Sequence, residues 1–126
     1  MEVRFTVNLV DLKKACRRLV SRLSDESEIG RDFALFRATG SALELSTGNS
    51  SEVLAATIHR SGQATVPRPV FYKLVSTLRY FRRTVIDFEF YSGIIVLNGR
   101  TQIRHALISI EGGLARLNVG AGPERD

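Results

Sequence analysis

The chain of 126 residues is 44% apolar and carries a net charge of +5, which suits a single domain around one core. Three prolines and ten glycines exclude a collagen-like or low-complexity chain, and no run reaches the roughly 18 apolar residues of a membrane span. The one cysteine, Cys16, excludes an internal disulfide and fits a reducing, cytoplasmic compartment.

Residues 2–8, EVRFTVN, alternate, with Val3, Phe5 and Val7 on one side and Glu2, Arg4 and Thr6 on the other, the pattern of a half-buried strand. That alternation and the acid at position 2 argue against a signal peptide. Asn8 then caps a helix, with Asp11 as a capping-box-like partner that also favours the helix dipole. Leu12, Ala15, Cys16, Leu19, Val20 and Leu23 fall on one arc of about 140° of that helix. Lys13, Lys14, Arg17, Arg18 and Arg22 take the complementary side, which carries no acid after Asp11. SDESEIG is a polar connection to three strands, DFALFRA, ALELS and EVLAATIHR, with a hairpin turn at TGSA and a longer one at TGNSS. Gly62 marks a turn before QATV, which reads with the third strand as a continuing antiparallel meander.

PRPVFYKLVSTLRYFRR, residues 67–83, reads as a second helix. Pro67 and Pro69 stand at its start, where a missing N–H costs little. Phe71, Leu74, Val75 and Leu78 form its apolar stripe, extended by Phe81. VIDFEF, GIIVLNG and TQIRHALISI are three further strands, with tight turns at Ser92-Gly93 and Asn98-Gly99, and Asn-Gly between apolar strands is a strong hairpin signal. Residues 111–126 form a C-terminal extension with an edge strand expected over Leu114–Val119. Two helices that must bury their stripes, and strands that need one covered face, give an α+β fold over residues 1–110: a two-layer sandwich of two helices packed on an antiparallel sheet. The halves echo each other in order, one helix followed by three or four strands, without identity of sequence.

The sequence argues against an enzyme. It has no glycine-rich phosphate loop, no HExxH, no CxxC and no other ligand cluster, so it names no cofactor and no metal. His59 and His105 lie on different predicted strands and read as surface or sheet residues. Asp87 and Glu89 read as the solvent-facing positions between Phe88 and Phe90, GNSS as a turn, and Cys16 as a core residue.

Charge is the remaining signal. Residues 1–59 are neutral, with eight basic and eight acidic groups, whereas residues 60–104 carry eight basic groups against Asp87 and Glu89. Fifteen of the eighteen cations are arginine, whose planar fork suits phosphates and carboxylates alike. On the second helix Lys73 stands opposite the apolar stripe, while Arg79, Arg82 and Arg83 collect at or beyond its C-terminal end, where the dipole favours cations whatever the function. Arginine interleaved with aromatics in RYFRR could stack on bases, but residues placed as Tyr80 and Phe81 are more often anchors of a helix end to the core. The basic sides of the two helices therefore carry two readings: a phosphate-contacting surface with salt-dependent, sequence-independent attachment, and the wet side of ordinary surface helices.

Four stretches, VRFTVNLVDLKKACRRL, LELSTGNSSEVLAATI, ATVPRPVFYKLVSTL and IIVLNGRTQIRHAL, follow in order and spacing the plan of one domain of a bacterial DNA polymerase III beta sliding clamp, which this chain resembles over about residues 1–109. The resemblance implies a DNA clamp fold whose helices face duplex DNA and whose sheets make the outer wall and the subunit contacts. It implies a non-catalytic processivity factor of DNA replication that tethers replication, repair or transcription proteins. Carried over by position, the DNA-facing residues are Lys13, Lys14, Arg17, Arg18 and Lys73, with Arg79 beside them; Arg22, Arg82 and Arg83 join them on charge and position. A clamp subunit has three such domains and a ring has six, so this chain as one domain implies a homo-oligomer of six copies, an open dimer, or a protein-interaction module with no DNA contact.

Overall fold

The computed structural model describes residues 2–22, 33–48 and 50–112. In chain order the elements are β1 (Val3–Asn8), α1 (Leu9–Arg22), β2 (Phe33–Thr39), β3 (Ala42–Thr47), β4 (Ser50–Arg60), β5 (Gly62–Pro67), α2 (Arg68–Leu78), β6 (Val85–Tyr91), β7 (Ile94–Leu97), β8 (Thr101–Arg104) and β9 (Ser109–Gly112). The strands form one antiparallel sheet in the order β8-β7-β6-β1-β4-β3-β2-β5-β9, with both helices on its apolar face. The α+β expectation of two helices on an antiparallel sheet is what the chain adopts.

Alternation decides which side of each strand is covered. In β1, Val3, Phe5 and Val7 are buried while Arg4, Thr6 and Asn8 are half-exposed, and β6 repeats the pattern with Ile86, Phe88 and Phe90. The sheet curls enough to bring β2 against β6: Phe36 packs on Phe90 with ring centroids 5.0 Å apart and on Phe88 at 6.2 Å, and its edge meets Phe71 of α2 at 6.2 Å. Phe5 stacks on Phe88 at 5.1 Å. One aromatic cluster thus joins both halves of the chain.

The halves repeat in pairing as well as in order. β1 is flanked by β6 and β4, and β5 is flanked by β2 and β9, all antiparallel. β4 has 11 residues and serves two neighbours in turn: Ser50–Ala55 pair with β3 and Ala56–Arg60 with β1. Its counterpart in the second half is broken. β8 pairs with β7 and β9 with β5, and the bend between them is pinned where the His105 N–H donates to the Gly93 carbonyl at 3.0 Å and the Gly93 N–H to the Ile108 carbonyl at 2.9 Å.

Three expectations change here. β5 does not continue a meander from β4: β4 overruns β3 to reach β1, which leaves the far edge of β2 for β5 to occupy. The expected single strand over residues 101–110 is two strands, because the chain must leave β7 to join β5. The second helix ends at Leu78 and not at residue 83. There the Arg79, Tyr80 and Phe81 N–H groups bond back only three residues, to Ser76, Thr77 and Leu78, a tight last turn that releases the chain. Arg82 and Arg83 therefore stand on the connection to β6. The edge strand expected over Leu114–Val119 lies outside the described residues. The turns expected at TGSA, Ser92-Gly93 and Asn98-Gly99 form, with Asn98 at φ 53° and Gly99 at φ 71°, both positive as an Asn-Gly turn of this kind requires. The connection expected to be longer, TGNSS, is as short as the first, since Thr47 pairs with Ser50.

Candidate nucleic-acid interface

α1 starts where expected: the Asn8 side chain accepts the Asp11 backbone N–H at 2.9 Å, satisfying one of the donors a helix start leaves orphaned. Leu9, Leu12, Ala15, Cys16 and Leu19 are buried beneath it. Burial pushes the Cys16 thiol up to about 12, so at neutral pH it is a packed apolar group and no nucleophile.

The five cations of α1 do not share one face. At about 100° per residue, Arg22 lies about 180° around the axis from Lys13, and the two flanks meet different neighbours. On the β4 flank, Glu52 binds both Arg18, at 2.7 Å, and Arg22, at 3.1 Å. Its side chain is only 14% exposed. The hydrogen bond from Arg18 does most to hold the Glu52 carboxyl below the ordinary carboxylate range; burial opposes it, and the Arg18 charge and Arg22 add to it. A carboxyl with a lowered folded pKa adds stability above its unfolded value of about 4.3, and that stability is lost as pH falls through the folded value. Glu52→Gln is therefore expected to melt slightly below the wild type at neutral pH, the gap closing as pH falls through the folded value of the Glu52 carboxyl, in thermal melts across an acid-to-neutral series. A gap that persists in acid would show that the pair is not its source.

The α2 flank differs. Lys13, Cys16, Arg17 and Val20 of α1 face Val75, Leu78 and Arg79 across a cleft of about 200 Å³ with an apolar floor and a basic rim. The Lys13 ammonium donates to the Phe81 carbonyl at 3.1 Å, which ties α1 to the turn that ends α2. A second concavity of about 340 Å³ continues from the first at Lys13 and Arg79 and is lined by Leu9, Val10, Phe81, Arg82 and Arg83. A third, of about 400 Å³, shares Phe81 and Arg83 with the second and runs along Leu97, Asn98, Arg100 and Thr101. No carboxylate among the described residues lines any of the three.

The candidates therefore sort by place. Lys13, Arg17, Arg79, Arg82 and Arg83 come together along one connected depression. Lys14 is exposed outside it. Lys73 is also exposed, about 160° around α2 from Val75, on the flank away from the cleft. Arg18 and Arg22 are held by Glu52. Tyr80 is 80% exposed, so it does not anchor the helix end; the half-buried Phe81 packs against the core instead.

Two residues that shape this surface were not singled out from the sequence. Glu52 carries a legible signal, since it shares strand phase with Leu54, Ala56 and Ile58 and so falls on the helix side of β4. Arg100 follows the Asn98-Gly99 turn, and the pairing of Phe88 with Leu97 brings that turn to the end of the sheet where the α2–β6 connection enters.

On the opposite face the polar residues serve the sheet. The Thr6 hydroxyl donates to Asp87 and lies 2.9 Å from His59 Nε2, bridging β1, β4 and β6. Tyr91 donates to Glu89 at 2.5 Å, and this bond holds the phenol above its usual range. Asp87 and Glu89 thus engage different partners. Among the described residues no group of three His, Cys, Asp or Glu is placed to hold a metal ion, and no helix is long and apolar enough to cross a membrane.

The sequence matches no protein-family model and no curated protein. Solved structures do match. A C. crescentus beta sliding clamp, with polyethylene glycol bound to its putative beta-motif tethering region, superposes with a TM-score of 0.67 at 19% identity over 90% of this chain and 31% of that one. The Bartonella birtlesii DnaN sliding clamp, DNA polymerase III subunit beta bound to griselimycin, gives 0.62 at 16% identity over 88% of this chain and 29% of that one. The chain spans about a third of either clamp subunit, and it has the fold of a single bacterial sliding-clamp domain.

Proposed function

We propose that this protein is a non-catalytic, clamp-like DNA-associated protein of the cytoplasm that holds duplex phosphates with the basic residues of its helix side and self-associates through its sheet edges. The observation that carries the reading is the connected depression on the helix side, rimmed by Lys13, Arg17, Arg79, Arg82 and Arg83 without a lining acid among the described residues. Arginine forks aimed at phosphate oxygens bind any sequence, as a protein that moves along DNA requires. Lys14 and Lys73, exposed on the outer sides of the two helices, add to the positive field that attracts a polyanion. Among the described residues the sheet ends in β8 and β9, each paired on one side. Such edges template pairing with another copy, and six copies would match the domain count of a clamp ring. A replication, repair or transcription protein is the partner such an assembly would tether.

The competing reading is an interaction module without DNA contact, and one observation favours it: Glu52 neutralises two of the cations that helix α1 presents. Mass measurement in solution, combined with binding to linear and closed circular duplex at two salt concentrations, separates the two. The clamp reading expects an oligomer and micromolar or tighter binding at low salt that weakens steeply as salt rises. It also expects longer retention on closed circles than on linear duplex if the assembly encircles DNA. A monomer indifferent to DNA at low salt rejects it.

A further inference from the structure

The three concavities join end to end, and no carboxylate among the described residues engages any of the cations that line them. The first concavity meets the second at Lys13 and Arg79, and the second meets the third at Phe81 and Arg83. The path starts between the helices, crosses the turn that ends α2 and finishes at the β7–β8 turn. Six cations border it: Lys13, Arg17, Arg79, Arg82, Arg83 and Arg100. Arg18 and Arg22 border none of it and are bound to Glu52 on the other flank of α1.

We propose that one strand of the bound duplex lays its phosphate backbone along this bent track, with Arg100 as its far contact, and that Arg18 and Arg22 fasten α1 to β4 and take no part in binding. The proposal rests on the DNA reading above and specifies which cations serve it. Charge complementarity identifies the occupant: a row of five guanidinium forks and one ammonium, with no intervening carboxylate among the described residues, matches a row of phosphates. Desolvation gives the reason for the exclusions. Arg18 already shares Glu52 with Arg22 at hydrogen-bond distance, so turning it to a phosphate requires breaking an ion pair first, whereas no track cation is paired with a carboxylate among the described residues.

Each phosphate contact releases condensed counterions and adds about 0.9 to the slope of log affinity against log salt. Fluorescence anisotropy with a labelled duplex of about two helical turns, read across a salt series, therefore counts contacts. Arg100→Ala is expected to lower the slope by about one and to weaken binding roughly tenfold at the lowest salt. Arg18→Gln/Arg22→Gln is expected to leave the slope at the wild-type value. Because that double variant also loosens α1 from β4, Glu52→Gln serves as its companion. It frees both arginines without removing them and is likewise expected to leave the slope unchanged. An Arg100→Ala slope equal to the wild type overturns the track. So does a fall of about two in the arginine double variant, or a rise of about two in Glu52→Gln. A wild type that binds no duplex at low salt is a different result: it removes the DNA reading and the track together.

Discussion

Phe36→Ala is expected to destabilise the protein by about 3–5 kcal/mol, the cost of emptying a large aromatic site in a core that relaxes only in part. Phe36 is 1% exposed and is the residue at which three elements meet: β2 carries it, α2 offers Phe71, and β6 offers Phe88 and Phe90. Alanine removes ring contacts to both halves of the chain at once, so neighbouring groups cannot close the void without pulling β2 and β6 together. A domain of this size holds roughly 5–15 kcal/mol in total, so the loss would be a large fraction of it. Urea or guanidinium unfolding is the measurement. The expected result is a lower midpoint with an unchanged slope, since the surface exposed on unfolding is nearly the same. A loss under about 1 kcal/mol would mean that the halves are not coupled through this cluster.

That cluster also marks where the sequence was legible and where it was not. The alternation in β1, the stripes of α1 and α2 and the Asn98-Gly99 hairpin are written in neighbouring residues, and each formed as expected because its cause is local. The partner of β5 was not legible. Gly62–Pro67 alternate equally well beside β4 or beside β2, and the choice depends on β4 overrunning β3 to reach β1, a contact between residues 49 to 56 positions apart. The end of α2 was hidden for a similar reason. Tyr80 and Phe81 continue a helical pattern on paper, yet Phe81 turns back toward the core and its carbonyl receives Lys13 from another helix. The candidate surface divides along the same line. Five basic residues on one predicted helix are plain, but the assignment of Lys13 and Arg17 to the α2 cleft, of Arg18 and Arg22 to Glu52 and of Lys14 to neither follows from packing α1 between two neighbours. Arg100 joins the group only because a hairpin in the second half ends beside the α2–β6 connection.

Gly62→Ala tests the other long-range junction, the seam where β5 meets β9 and β1. Gly62 has φ 154°, and a β-carbon there would stand 2.6 Å from the Glu111 carbonyl oxygen, 2.7 Å from a Val3 methyl and 2.9 Å from the Gly112 α-carbon. Two of these neighbours are backbone and the third is a fully buried β-branched side chain, so no flexible tip can swing aside. Relief must come from the backbone, through β9 lifting from β5 or β1 shifting along β4. Overpacking and an unfavourable backbone angle each cost about 1–3 kcal/mol, and a combined loss of about 2–4 kcal/mol is expected, read by chemical denaturation. The site of the loss is the sharper test. Among the described residues β9 has β5 as its one sheet partner and four residues of ladder, so amide exchange is expected to accelerate first at Ser109–Gly112. The ladder of β6 with β7, beyond β1, should keep its protection. Uniform acceleration across the sheet would place the strain at Val3 and β1, and no acceleration would mean that the seam accommodates a methyl group. The junction bears on the candidate interface because β5 runs into α2 without a loop, Pro67 ending the strand and Arg68 opening the helix. A shift of β5 is carried directly into α2. Gly62 thus stands at the far end of the strand that leads into α2, the helix that sets one wall of the cleft against Lys13 and Arg17 of α1.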